Sequence, residues 1–157
     1  MSIENVRQYL EKWGRSADIR IIPTSTATVA LAAAALGVEE ARIAKTISLR
    51  GAEGAIVIVM AGDAKIQNRK FKERFGIKAK MLTADEALHY TGHAVGGVCP
   101  FALPNTVQIY LDNSLRSFIT VFPACGSSNS VIEITTDELS EYTNQAEWVD
   151  VSIIPEE

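Results

Sequence analysis

Ile3, Val6, Leu10 and Trp13 recur at the spacing of one helix face, with Ser2 placed to cap that helix and Gly14 to end it. A short extended stretch over 18–22 stops at Pro23. The hydroxyl cluster Thr24-Ser25-Thr26-Ala27-Thr28 then opens an alanine-rich helix to Leu36, with Gly37 in the usual position after a helix end. Residues 43–50 alternate as a strand, placing Ile43, Ile47 and Leu49 on one face together with Lys45. After the turn 51–54, residues 55–61 are continuously apolar, the signature of a central strand covered on both faces.

Further along, Asp63 is placed to cap a basic helix that ends at Phe75 before Gly76, and a strand is expected over 77–82. Thr83 and Glu86 form a capping box for a short helix through Tyr90. Val107, Ile109 and Leu111 alternate with polar neighbours as a strand, and Asp112 starts a helical turn. Strands are expected over 118–125, 131–134 and 148–151, with a polar turn at 126–130 and a helix from Thr135 to about Tyr142. Helices and strands are interspersed and several strands are adjacent in sequence, which predicts an α/β class with a mixed sheet.

The chain has 157 residues, 47% hydrophobic and 22% charged, and is read as one soluble globular domain over 1–157. No apolar run approaches the roughly 20 residues of a membrane span, and the first residues lack a signal-peptide pattern, so no membrane association and a cytoplasmic setting are expected. Two cysteines, Cys99 and Cys125, make neither a disulfide framework nor a zinc pattern. The net charge is −4, but 65–80 carries seven cations against the single acid Glu73, leaving −10 on the remainder. Such a patch can draw phosphate over about 8–10 Å, or it can be no more than a solvated helix face.

The most unusual stretch is 92–104, where three glycines and two prolines alternate with Val, Phe and Leu. Glycine admits positive φ and close backbone approach, while proline removes N–H groups and fixes φ. The stretch is either a buried turn or a loop whose amides grip a ligand. A second oddity is Lys45 among inward-facing residues, where a charge needs a partner or must reach out along its stem. His89 and His93 are the only histidines. A Cys99–His93 pair is conceivable, but a third metal ligand, a Gly-x-Ser-x-Gly elbow, a phosphate loop and a dinucleotide fingerprint are all missing. What remains can polarise a carbonyl and position a substrate without supplying a strong base.

Taken together, Ser25-Thr26-Ala27-Thr28-Val29, Ile43-Ala44-Lys45-Thr46, Ala61-Gly62-Asp63, the run from Gly92 to Phe101, Gly126-Ser127-Ser128-Asn129-Ser130 and Trp148-Val149-Asp150-Val151 resemble the YbaK / prolyl-tRNA-synthetase-associated editing-domain family. The resemblance extends over nearly the whole chain. It implies a single α/β domain with a curved, mixed and largely antiparallel sheet flanked by helices around a small pocket. It implies a trans-editing deacylase that hydrolyses the ester of mischarged tRNA, typically tRNA-Pro carrying Ala or Cys, without metal or cofactor.

On that resemblance Lys45 anchors the substrate. The backbone of Gly96, Gly97, Val98, Cys99, Pro100, Phe101 and Ala102 holds the aminoacyl group, with Ala102 standing where the family usually has glycine. Thr26, His93, Ser128 and Asn129 complete the substrate-binding set. Lys65, Arg69, Lys70, Lys72 and Arg74 are the candidates for tRNA phosphates. The implied partners are the aminoacyl-tRNA 3′ end and prolyl-tRNA synthetase. The competing readings are a non-catalytic module for an aminoacyl-like ligand or a synthetase or tRNA partner, and a hydrolase of some other small ester.

Overall fold

The computed structural model describes residues 2–155. Its centre is a long hairpin, β2 (Ile43–Gly51) and β3 (Gly54–Ala61), paired antiparallel from Ala44↔Ala61 to Gly51↔Gly54. β5 (Gln108–Asp112) runs parallel to β3, and β9 (Glu147–Val149) parallel to β5. On the other side, β6 (Thr120–Pro123) pairs parallel with β2 only at Ile43 and Ala44. β8 (Ile134–Thr135) closes the order β8-β6-β2-β3-β5-β9 of a curved six-stranded sheet. Two small antiparallel pairs lie outside it: β1 (Arg20–Ile21) with β7 (Ser130–Val131), and β4 (Lys65–Ile66) with β10 (Ser152–Ile153).

The mixed α/β architecture with a curved mixed sheet agrees with the expectation; among the described residues four strand pairings are antiparallel and three parallel.

Both faces of β3 are covered, which explains its unbroken apolar run. Ile56, Ile58 and Met60 join Leu49 and Phe71 on the side of α3 (Asn68–Phe75). Val59 faces the larger cluster, built with Val6 and Leu10 of α1 (Ser2–Leu10), with Leu111 and Leu115, and with Leu139 of α5 (Thr136–Tyr142). Each such fully buried aliphatic or aromatic side chain contributes about 1.5–3 kcal/mol. α2 (Val29–Leu36) packs Ala32 and Ala33 against Ile43 and Phe122, and α4 (Ala84–Thr91) lies over the cluster of Val57 and Val107.

Local signals fall where expected at Thr28, which caps α2, at the Thr83/Glu86 and Thr135/Glu138 capping boxes, and at Gly14, Gly37, Gly76 and Gly92 with positive φ. Four expectations are corrected. Ser2 is the first residue of α1, and its hydroxyl binds the His93 ring. Asp63 does not cap α3, because the chain first pairs β4 with β10; Gln67 caps it, accepting from the Lys70 N–H at 2.9 Å. Residues 77–82 make only an isolated bridge, Met81 to Leu49. The run 131–134 divides, because Val131 pairs with Arg20 while Ile134 pairs with Val121.

Candidate functional site

The outer edge of β2 is interrupted. Ile43 and Ala44 are paired with β6, while the Ser48 carbonyl accepts from the Leu82 N–H at 3.1 Å and the Arg50 N–H donates to the Lys80 carbonyl at 2.9 Å. Between these anchors, residues 45–47 have no strand beside them. The opening leads into a cavity of about 290 Å³ walled by Ala27–Val29, Ile43–Ser48, Met81, Leu82, Val95, Gly96 and Val98, with Phe122 and Val131 behind. Four of the predicted residues, Thr26, Lys45, Gly96 and Val98, meet at this cavity.

Lys45 is half-buried, and its partner is main chain. Its Nζ donates to the Gly62 carbonyl at 3.2 Å and to the Ala64 carbonyl. Gly62 makes this possible: a Cβ there would lie 2.0 Å from the Glu40 carbonyl oxygen and 2.7 Å from Val29 Cγ1. The turn can therefore press against the start of α2 and present its carbonyls. Burial lowers the Lys45 pKa; the Asp63 carboxylate works against that shift, and the neighbouring Lys65 adds to it. Two of the three ammonium N–H groups are engaged, leaving one for the cavity.

Three loops converge beside it. The Thr26 N–H donates to the Ser128 carbonyl at 2.6 Å, and its hydroxyl donates to the same oxygen at 3.2 Å. Asn129 Nδ2 donates to the Ile22 carbonyl at 3.3 Å. Ser128 and Asn129 thus brace the loop before α2 and do not line the cavity. Gly97 meets the same turn: a Cβ on it would sit 2.9 Å from the backbone of Gly126 and Ser127, so only glycine lets the two chains touch. The Gly97 N–H is used internally, donating to the Ala94 carbonyl at 2.9 Å. Among the described residues, the Gly96 and Val98 N–H groups have no acceptor.

The remaining loop residues lie elsewhere. His93, Cys99 and Phe101 are fully buried in the core below. The His93 ring is held between the Ser2 hydroxyl and the Phe101 carbonyl, 2.8 Å from Nε2, with Cys99 Sγ 3.5 Å away. Burial lowers the His93 pKa against the opposing pull of the Phe101 carbonyl, and it pushes the Cys99 thiol up to about 12, so neither is a ready base or nucleophile. The His93 side chain therefore supports the loop from the core, and the Cys99 and Phe101 side chains lie there too, leaving only their main chain, as expected of this loop, to meet a ligand. Pro100 and Ala102 face a second cavity, of about 570 Å³, with Tyr9 and Lys12 on its wall.

The basic helix is largely neutralised. Arg69 pairs with Glu73 at 3.4 Å, Lys70 with Asp150 at 3.0 Å and Arg74 with Glu147. Among the described residues, Lys65 and Lys72 have no ion pair. No group of three or more His, Cys, Asp or Glu able to hold a metal occurs among the described residues, and no helix is long and apolar enough to cross a membrane. The cavity residue that motif reasoning passed over is Thr46. Its signal was its place beside Lys45, but strand alternation turns the two side chains to opposite faces.

Comparison with known proteins places this geometry. The aminoacyl-tRNA editing domain model matches residues 24–142. The chain is 51% identical over 152 residues to the uncharacterized protein YwhH of Bacillus subtilis, covering 96% of this chain and 97% of that one. It is 29% identical over 116 residues to the proline–tRNA ligase of Trichlorobacter lovleyi, covering 73% of this chain but 20% of the ligase. A solved structure named as a candidate trans-editing enzyme for prolyl tRNA synthetase superposes with a TM-score of 0.86 at 29% identity, covering 97% of each chain. On this match of sequence and fold, the chain belongs to the aminoacyl-tRNA editing domain family.

Proposed function

We propose that this chain is a trans-acting deacylase that hydrolyses the ester of mischarged tRNA, with tRNA-Pro carrying Ala or Cys as the substrate. The observation that carries the reading is the meeting of a half-buried ammonium, Lys45, and two unpaired amides, Gly96 and Val98, at a cavity of aminoacyl size. In this reading the spare N–H of Lys45 anchors the 3′-terminal nucleotide or its ester oxygen. The Gly96 and Val98 amides polarise the ester carbonyl and stabilise the charge that develops on its oxygen. Water adds to the carbonyl carbon, the bond to the ribose oxygen breaks, and the proton released by the water ends on that oxygen. Free amino acid and intact tRNA leave. Lys65 and Lys72 are the patch residues available to phosphate.

The test is a panel of Ala-, Cys- and Pro-tRNA-Pro with the wild type and Lys45→Ala. Hydrolysis of a mischarged species, reduced at least a hundredfold in Lys45→Ala, is expected. No turnover of any mischarged tRNA by the wild type overturns the proposal. One observation favours a second reading, a non-catalytic aminoacyl-binding module: the histidine and cysteine near the site are locked in the core and supply no base. Tight binding of the panel without ester cleavage is its signature.

A further inference from the structure

Among the described residues, the wall of the cavity at the edge of β2 carries one ionisable side chain, Lys45. Its other lining residues are apolar, hydroxyl-bearing or glycine. A lysine amine becomes a nucleophile when it is held out of water or placed beside another cation. Both conditions meet here, because Lys45 is half-buried and Lys65 of β4 acts on it in the same direction. The Asp63 carboxylate, on the turn between β3 and β4, opposes them and holds the proton on. α2, the 80–82 segment and the loop over 95–98 add no ionisable group to the wall.

Hydrogen bonding decides where the reactive electron pair of this amine lies. Lys45 Nζ donates to the Gly62 carbonyl at 3.2 Å and to the Ala64 carbonyl. Carbonyl oxygens only accept, so the two nitrogen positions that face them carry hydrogen whether the amine is charged or neutral. The proton lost on neutralisation is therefore the third one, and the lone pair takes its place toward the cavity. A neutral Lys45 thus presents a nucleophile at the position from which the ammonium presents its spare N–H. His93 and Cys99, buried in the core below, do not compete with it.

We infer that Lys45 is an acylation site, at which the protein is covalently modified by the aminoacyl group of its own ester substrate. The inference rests on the reading of the cavity as an aminoacyl site. The Nζ lone pair adds to the ester carbonyl carbon and the bond to the ribose oxygen breaks. One proton of the nitrogen ends on that oxygen, and an amide replaces the ester with nothing oxidised or reduced. The acylated nitrogen has one hydrogen left for two carbonyls and no charge to anchor another substrate, so the modified chain is inactive. Charged Lys45 leaves the ester to water and neutral Lys45 takes it, so pH sets the partition between turnover and self-modification.

The experiment incubates the full chain, in excess, with tRNA-Pro carrying labelled alanine at pH 7 and pH 8. Free alanine is counted beside protein-bound alanine that survives the mild base that cleaves esters, and tryptic mass spectrometry locates the bound label. The expected product is one alanyl group on the peptide 43–50, left uncut at Lys45. It is expected to form about five- to tenfold faster at pH 8, because each pH unit below a pKa raises the neutral fraction about tenfold. Asp63→Asn is expected to speed its formation several times at pH 7, and Lys45→Arg to abolish it. Free alanine without alanyl-Lys45, label spread evenly over the surface lysines, or a rate indifferent to both pH and Asp63→Asn overturns the inference and leaves the deacylase reading standing. Neither free nor bound alanine overturns the deacylase reading itself, and the inference with it.

Discussion

Lys45 Nζ donates to the carbonyl oxygen of Gly62, 3.2 Å away and 17 residues further along the chain. An inward charge on a strand is thereby tied to the turn that leaves the neighbouring strand, and its charge is felt by both Asp63 and Lys65. Because burial holds the folded pKa below the ordinary 10.5, the unfolded chain binds this proton more tightly than the folded one. Lys45 therefore makes stability rise with pH between its folded pKa and 10.5. The raised Cys99 and Cys125 thiols lower stability above about pH 9 in both proteins, so the expected readout of unfolding titrations at pH 7 to 10.5 is the difference, the wild type gaining stability relative to Lys45→Met as pH rises. Identical profiles would contradict the assignment.

Gly62 and Gly97 both sit where a Cβ would strike backbone rather than a movable side chain. Gly62→Ala is expected to destabilise the protein by more than about 3 kcal/mol and Gly97→Ala by about 1–3 kcal/mol, the range of overpacking. Denaturant melts with unchanged slope are the measurement.

Ala102 has φ +56, in the left-handed region that suits glycine. The residue that departs from the family pattern thus keeps a glycine's backbone shape, and its methyl lies at the second cavity. Ala102→Gly relieves about 1–2 kcal/mol of left-handed strain and gives back about 0.5–1 kcal/mol through the looser unfolded chain. A small net stabilisation, with unchanged preference among aminoacyl-tRNAs, is expected from paired melts and deacylation assays.

Both thiols are buried, and burial raises both pKa values, that of Cys99 to about 12. Ellman's reagent is expected to label no cysteine in the native protein and two after unfolding in urea. Rapid labelling of native Cys99 would restore it as a candidate nucleophile.

Salt dependence separates the paired cations from the unpaired ones. Lys65→Gln and Lys72→Gln are each expected to lower the slope of log Kd against log salt for tRNA by about 0.7–1. Arg74→Gln is expected to change it less, because Arg74 is already paired with Glu147 and lies over the Tyr110 ring. A larger effect from Arg74 would move the tRNA path onto the paired face.

What the sequence determined by itself is local or strongly averaged. The caps at Thr28, Thr83 and Thr135 and the stops at Gly37 and Gly92 depend on groups three or four residues apart, and they stand where the pattern put them. The apolar run of β3 had no other place than the middle of the sheet. The family was legible from the order of short motifs, each weak alone.

The tertiary structure alone decided partners. Nothing near His93 in sequence indicated that Ser2, 91 residues away, would hold its ring. Asp63 was a sound cap until β10 claimed the following residues for a strand. The break in the edge of β2 exists because β6 leaves β2 after Ala44 and the 80–82 segment arrives only at Ser48. A strand's own sequence specifies which side chains share a face, whereas the neighbours along its edge are supplied by chain tens of residues distant.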